Sequence, residues 1–138
     1  MVTEQTKFKF KGYRITKSDI SIKPDGDINQ KLNISFSGKN QEAENSVYIL
    51  DLTTSVSNED KSIDITIDMR GFFEFDEGLS TDNQKIFFNG NAPAIMFPYI
   101  RAAISTITGI SGIAPIVLPT INFAESARRA KAKENDSK

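Results

Sequence analysis

Residues 63–75 constrain the fold more than any other part of this chain. Ile63, Ile65, Ile67, Met69, Gly71, Phe73 and Phe75 share one parity, while Asp64, Thr66, Asp68, Arg70 and Glu74 share the other. Successive side chains of a strand point to opposite faces. The segment therefore reads as one long strand with a dry face and a wet face. That pattern belongs to an antiparallel sheet with one side open to water, because strands buried on both faces read as continuous apolar runs. The dry face needs a cover, and the strand needs neighbours.

The neighbours precede it. Tyr48, Leu50, Leu52 and Val56 share one face of a third strand. Leu32, Ile34 and Phe36 alternate with Asn33, Ser35 and Ser37 until Gly38 ends the run. In the first strand Phe8 and Phe10 alternate with lysines, Tyr13 and Ile15 take the opposite parity after Gly12, and Ile20 and Ile22 switch again. Alternation that slips at a glycine predicts a β-bulge.

The cover follows. Residues 82–89 read as a short helix, Pro93 as the start of a new segment, and Pro98 as the first turn of a second helix, where its missing N–H costs little. From there Ile100, Ala103, Ile104, Ile107 and Ile110 recur at helical spacing. Ala102, Ser105, Thr106 and Thr108 fill the other positions, and Arg101 is the one charge. So uncharged a helix predicts that its second face is covered too, by another subunit. Gly109 and Gly112 stop it. Residues 113–123, with Pro115 and Pro119, read as an extended apolar segment lying in a groove or against a partner. The stretch 125–138 is charged and reads as a solvated helix fraying at its end. The expectation is an α+β chain: one domain over 1–124, then a charged C-terminal helix or tail over 125–138.

Composition narrows the chemistry. Cysteine and histidine are both absent from the 138 residues. Disulfides, thiolate metal sites and imidazole-based nucleophile systems are excluded. No metal, cofactor or catalytic residue is expected. A net charge of −1 offers no field for nucleic acid. Ala102–Ala124 carries no charge, but its prolines would break a membrane-spanning helix. The N-terminal residues lack the apolar run of a secretory signal. A cytoplasmic protein without membrane insertion is the expectation. Asp64, Asp68 and Glu74 could serve a small α+β enzyme acting on a thioester, but they alternate onto the wet face. Acid–base work by paired carboxylates needs an environment that splits their pKa values.

Three blocks of residues resemble the SecB family of export chaperones: Tyr13–Ile22; VYILDLTTSVS with KSIDITIDMRGFFEF; and, most specifically, Asn91–Phe123. The last contains Phe97-Pro98-Tyr99, Arg101, Ile104-Ser105, Ala114-Pro115, Leu118-Pro119 and Ile121-Asn122-Phe123. The resemblance implies a four-stranded antiparallel sheet with a long helix and a C-terminal helix packed on one face. It implies a dimer of dimers assembled through the long helix, with Tyr99, Ala103, Ile104 and Ile107 at the interface. It implies an ATP-independent holdase that binds unfolded polypeptides, such as preproteins kept competent for export, in apolar grooves. The client-binding candidates are Leu32, Ile34, Phe36, Ile67, Met69, Phe75 and Phe123. Asp19 matches one member of the acidic patch that docks the translocase motor ATPase SecA, and Asp64 and Asp68 flank the position of another. Lys23 and Thr66 stand where that patch usually has carboxylates. A dedicated chaperone of one partner, such as an antitoxin, is the alternative.

Overall fold

A computed structural model describes residues 8–27, 29–76 and 78–123. Four antiparallel strands form one sheet: β1 (Phe8–Ile22), β2 (Leu32–Glu42), β3 (Val47–Asn58) and β4 (Ile63–Phe75), in the spatial order β1-β4-β3-β2. β4, the strand with the cleanest alternation, is central and buries every odd-numbered residue from Ile63 to Phe75.

The parity switches of β1 are register shifts. Phe10 pairs with Phe73 and Gly12 with Phe72, so one residue is extruded between them; a second shift falls between Ile15 and Lys17. Gly12 has φ of 115°, a conformation that costs a side chain dearly and glycine little. Each bulge flips the parity once. Phe8, Phe10, Tyr13, Ile15, Ile20 and Ile22 consequently lie opposite the odd-numbered residues of β4, all on the covered face.

The cover is one helical run. Ser80 caps it by accepting the Asn83 N–H at 3.1 Å. α1 (Thr81–Ile86) passes through a π turn at Phe87–Asn91 directly into α2 (Ala92–Ile110). This corrects the expectation of two separate helices with Pro98 in a first turn. Pro93 takes the early position, and Pro98 lies inside α2. The π turn lets Phe87 and Phe88 be buried in succession before Ala92, Met96, Phe97, Ile100 and Ile104 continue the inward stripe. Phe87 packs edge-on to Phe8, Phe73, Phe75 and Phe88 at ring-centroid distances of 5.0–5.2 Å. Gly71 is needed where α2 meets the sheet: a Cβ there would lie 2.6 Å from Met96 Sδ.

After Ser111 and Gly112 the chain returns over the sheet in extended form, burying Ile116 and Leu118. Side chains of α2 hold this return. Ser105 Oγ donates to the Ile116 carbonyl at 2.9 Å. Thr108 Oγ1 accepts the Ile116 N–H at 2.8 Å and donates to the Ile104 carbonyl at 2.7 Å. Part of the uncharged helix face is thus covered by the chain itself, a local partner that helical spacing does not reveal. Replacing Thr108 by Val would leave the buried Ile116 N–H unpaired. That change is expected to destabilise the fold by about 1–3 kcal/mol, measurable as a lower midpoint in urea. An unchanged midpoint would show that the latch contributes nothing.

No helix among the described residues is long and apolar enough to cross a membrane. The C-terminal helix and the charged stretch 125–138 lie outside the described residues.

Candidate functional site

β2 is an edge strand: β3 pairs with one side of it, and no strand among the described residues pairs with the other. The edge offers backbone N–H and C=O groups to an incoming chain. Alternation sends Leu32, Ile34 and Phe36 to the covered face, opposite Asn58, Val56 and Thr54. All three are half-buried and pack against the core from its margin. The apolar row thus has one side in the core and one side in water.

Phe36 meets two rings from elsewhere in the chain. Its centroid is 5.1 Å from Phe123 and 6.0 Å from Phe97, which are 5.7 Å from each other, all edge-on. Edge-to-face packing of this kind adds about 0.5–1.5 kcal/mol per pair beyond area burial. Strand, helix and return segment converge here, and the cluster forms one wall of the margin.

The client-binding candidates therefore divide. Leu32, Ile34, Phe36 and Phe123 are brought together. Ile67, Met69 and Phe75 are not: they are 1%, 1% and 3% exposed, in the protomer core beneath the helices. Central strands are covered where edge strands are not, so identical alternation gives different exposure. Phe97 joins the cluster and was not among the candidates. Its spacing of 97, 100, 104 extends the apolar stripe of α2, a signal hidden by starting the helix at Pro98.

The interface candidates divide in the same way. Tyr99 is 40% exposed, and Ala103 and Ile107 are half-buried. Ile104 is fully buried against the sheet, so its side chain is unavailable to a partner subunit. Tyr13, Ile15 and Ile110, exposed at 40%, 44% and 81%, join Tyr99 and Ile107 along a shallow groove of about 410 Å³ between β1 and α2. Tyr13 stacks on Tyr99 at 4.6 Å.

Asp19, Asp64 and Asp68 gather on the open face of the sheet: Asp19 lies opposite Thr66, between Asp64 and Asp68 on β4. Their field is partly cancelled. Lys17 Nζ lies 3.3 Å from Asp19, and Asp68 accepts the Thr53 hydroxyl at 2.7 Å. One row along, Arg70 grips Asp51 through two bonds of 2.7 and 2.8 Å, and this pairing raises the guanidinium pKa. The carboxylates weighed for acid–base chemistry, Asp64, Asp68 and Glu74, share this water-facing side, with Glu74 3.9 Å from Lys11.

A four-stranded antiparallel sheet beneath one long helix, with an extended return segment, is a SecB-like fold. A SecB-like chaperone of Mycobacterium tuberculosis, solved in complex with a ChAD peptide from the HigA1 antitoxin, superposes with a TM-score of 0.71. The alignment covers 83% of this chain and 90% of that one at 13% identity. The family profile described as preprotein translocase subunit SecB matches residues 16–134, and the chain belongs to the SecB family. Among curated relatives, the protein-export protein SecB of Orientia tsutsugamushi (strain Boryong) is 29% identical over 114 residues, covering 80% of this chain and 69% of that protein. An uncharacterized protein of Methanocaldococcus jannaschii is 45% identical over 60 residues, 44% of this chain and only 38% of that protein's length.

Proposed function

We propose that the chain is an ATP-independent holdase that captures extended, unfolded segments of other polypeptides along the margin of β2. The observation that carries this reading is the half-buried row Leu32, Ile34 and Phe36, ending in the Phe97–Phe123 ring cluster and running beside a strand edge that no other described strand pairs with. Apolar burial contributes about 25 cal/mol per Å² and has no direction. Backbone pairing along β2 is likewise indifferent to client side chains. Together they suit a site that holds many sequences in one conformation.

Residues 1–124 would act as one unit, and copies would associate through Tyr99, Ala103 and Ile107 with their exposed neighbours Tyr13, Ile15 and Ile110. A dimer of dimers is the assembly we favour.

A second reading, a chaperone dedicated to one partner, is supported by the open face. Its acidic residues are interleaved with Lys17 and Arg70, which weakens the case for docking a translocase motor such as SecA. The solved SecB-like chaperone holds an antitoxin peptide, a precedent within the same fold.

The test is light scattering of a client diluted from denaturant, with no nucleotide added. Suppression of aggregation near one protomer assembly per client is expected, whereas no suppression at any ratio would overturn the holdase. Cross-linking in a lysate separates the two readings, by recovering many proteins or one.

A further inference from the structure

We infer that the open face of the sheet carries a basic stripe that docks an acidic segment of a partner protein. The stripe lies on the side of the sheet away from the helices and needs no held client to act. Each strand brings one residue into a single row: Arg14 pairs with Arg70, Arg70 with Asp51, and Asp51 with Lys39. Paired residues of neighbouring strands share a face, and Arg70 is on the even-numbered, water-facing side of β4. With strands about 4.8 Å apart, the backbones at Arg14 and Lys39 stand roughly 14 Å apart. Three cations thus share one carboxylate.

Asp51 does not serve all three. Both of its oxygens accept from Arg70, through Nε at 2.7 Å and Nη2 at 2.8 Å. Arg14 and Lys39 are exposed and form no ion pair with any described residue. Arg14 moreover stands directly opposite Arg70, and like charges in that position destabilise a sheet. A carboxylate from outside, lodged between the two guanidiniums, removes that cost. Planar guanidinium forks suit a carboxylate's two oxygens and stay charged at all physiological pH values.

The neighbouring rows narrow the choice of partner. On one side lie Gly12, Phe72 and Ile49. Gly12 has no side chain to cover the half-buried Phe72, so an apolar spot adjoins the cations. On the other side Asp68, Asp19 and Asp64 occupy the next three rows, and Glu74 stands beyond Phe72. Carboxylates at both ends of the patch repel a long, uniform polyanion such as a nucleic acid, and a net charge of −1 adds no general attraction for one. A short acidic segment escapes that repulsion. Charge complementarity therefore favours a polypeptide with two or three Asp or Glu side chains and an adjacent apolar one, within roughly five residues of extended chain.

The experiment uses the full chain and a ten-residue fluorescent peptide of Ser and Gly carrying three Glu residues and one Leu, with a Gln version and single-stranded oligothymidine as controls. Anisotropy titrations are expected to show the Glu peptide binding about tenfold more tightly than the Gln peptide, the gap closing as salt is added. R14Q/K39Q should weaken the Glu peptide about threefold to tenfold, because exposed ion pairs are individually weak and act here together. R14K/K39R, which keeps both charges, should retain most of the affinity. Both side chains are exposed, so both variants should keep the wild-type melting temperature and the wild-type protection of a refolding client. Equal binding of the Glu and Gln peptides, or an unchanged Glu affinity in R14Q/K39Q, overturns the inference and leaves the holdase reading standing. So does oligothymidine that binds as tightly as the Glu peptide and is released by R14Q/K39Q, which would make the stripe a general anion patch.

Discussion

Ile104→Glu is expected to unfold the protomer, not merely to separate subunits. Ile104 is fully buried between α2 and the sheet, and its carbonyl accepts the Thr108 hydroxyl that latches the return segment. The substitution removes a packed aliphatic side chain, a loss of about 2–5 kcal/mol when such chains are truncated. It also forces a carboxyl group into an apolar interior, where it is left without partners or must take up a proton. A domain of this size is stable by roughly 5–15 kcal/mol in total, so the two costs together take most of that margin. Circular dichroism should show lost structure or a collapsed melting temperature. A variant that keeps the wild-type melt would show that Ile104 is not in the core. The seam itself is probed nearly two turns further on, at Ile110, which is 81% exposed. Ile110→Glu should leave the protomer folded and shift its sedimentation to a smaller species.

Phe36→Asp is expected to abolish client capture while the sheet persists. The side chain sits on an edge strand, half in water, so a carboxylate can be solvated there without passing through the core. The protomer loses the edge-on contacts with Phe97 and Phe123, about 0.5–1.5 kcal/mol each, a loss that a core of this size can absorb. The client loses more. Truncating a central aromatic anchor commonly costs 2 kcal/mol or more of binding, about thirtyfold, and an apolar client covering the carboxylate must also strip its water. Scattering by a refolding client should rise to the level seen without chaperone, while the far-ultraviolet spectrum stays that of the wild type. Phe36→Leu should retain most capture. Full protection by a folded Phe36→Asp variant would remove the β2 margin from the site.

Much of this was legible in the residues because period-two and helical patterns report which way a side chain faces. The parities of β1 announced both register shifts: a strand that must keep its apolar residues on one face can change parity only by extruding a residue. The neutrality of α2 announced that something besides water covers it. What covers part of it is the chain's own return segment, held by Ser105 and Thr108. A hydroxyl at a helical position looks the same whether it meets water, a neighbouring subunit or a carbonyl eleven residues away. The π turn was illegible for a related reason: adjacent Phe87 and Phe88 break the helical phase, which reads as an end unless the turn is widened by one residue.

By itself the sequence determined the faces: which side of each strand is dry, where β1 bulges, and that a long helix with a single charge covers the sheet. It also carried enough of the SecB pattern for the family to be recognised. Only the tertiary structure decided depth. Phe36 and Met69 obey the same alternation, yet one borders water and the other is sealed, because the order β1-β4-β3-β2 puts β2 at the rim and β4 at the centre. Alternation is set by the local geometry of the backbone. Exposure is set by whatever long-range pairing lays alongside it.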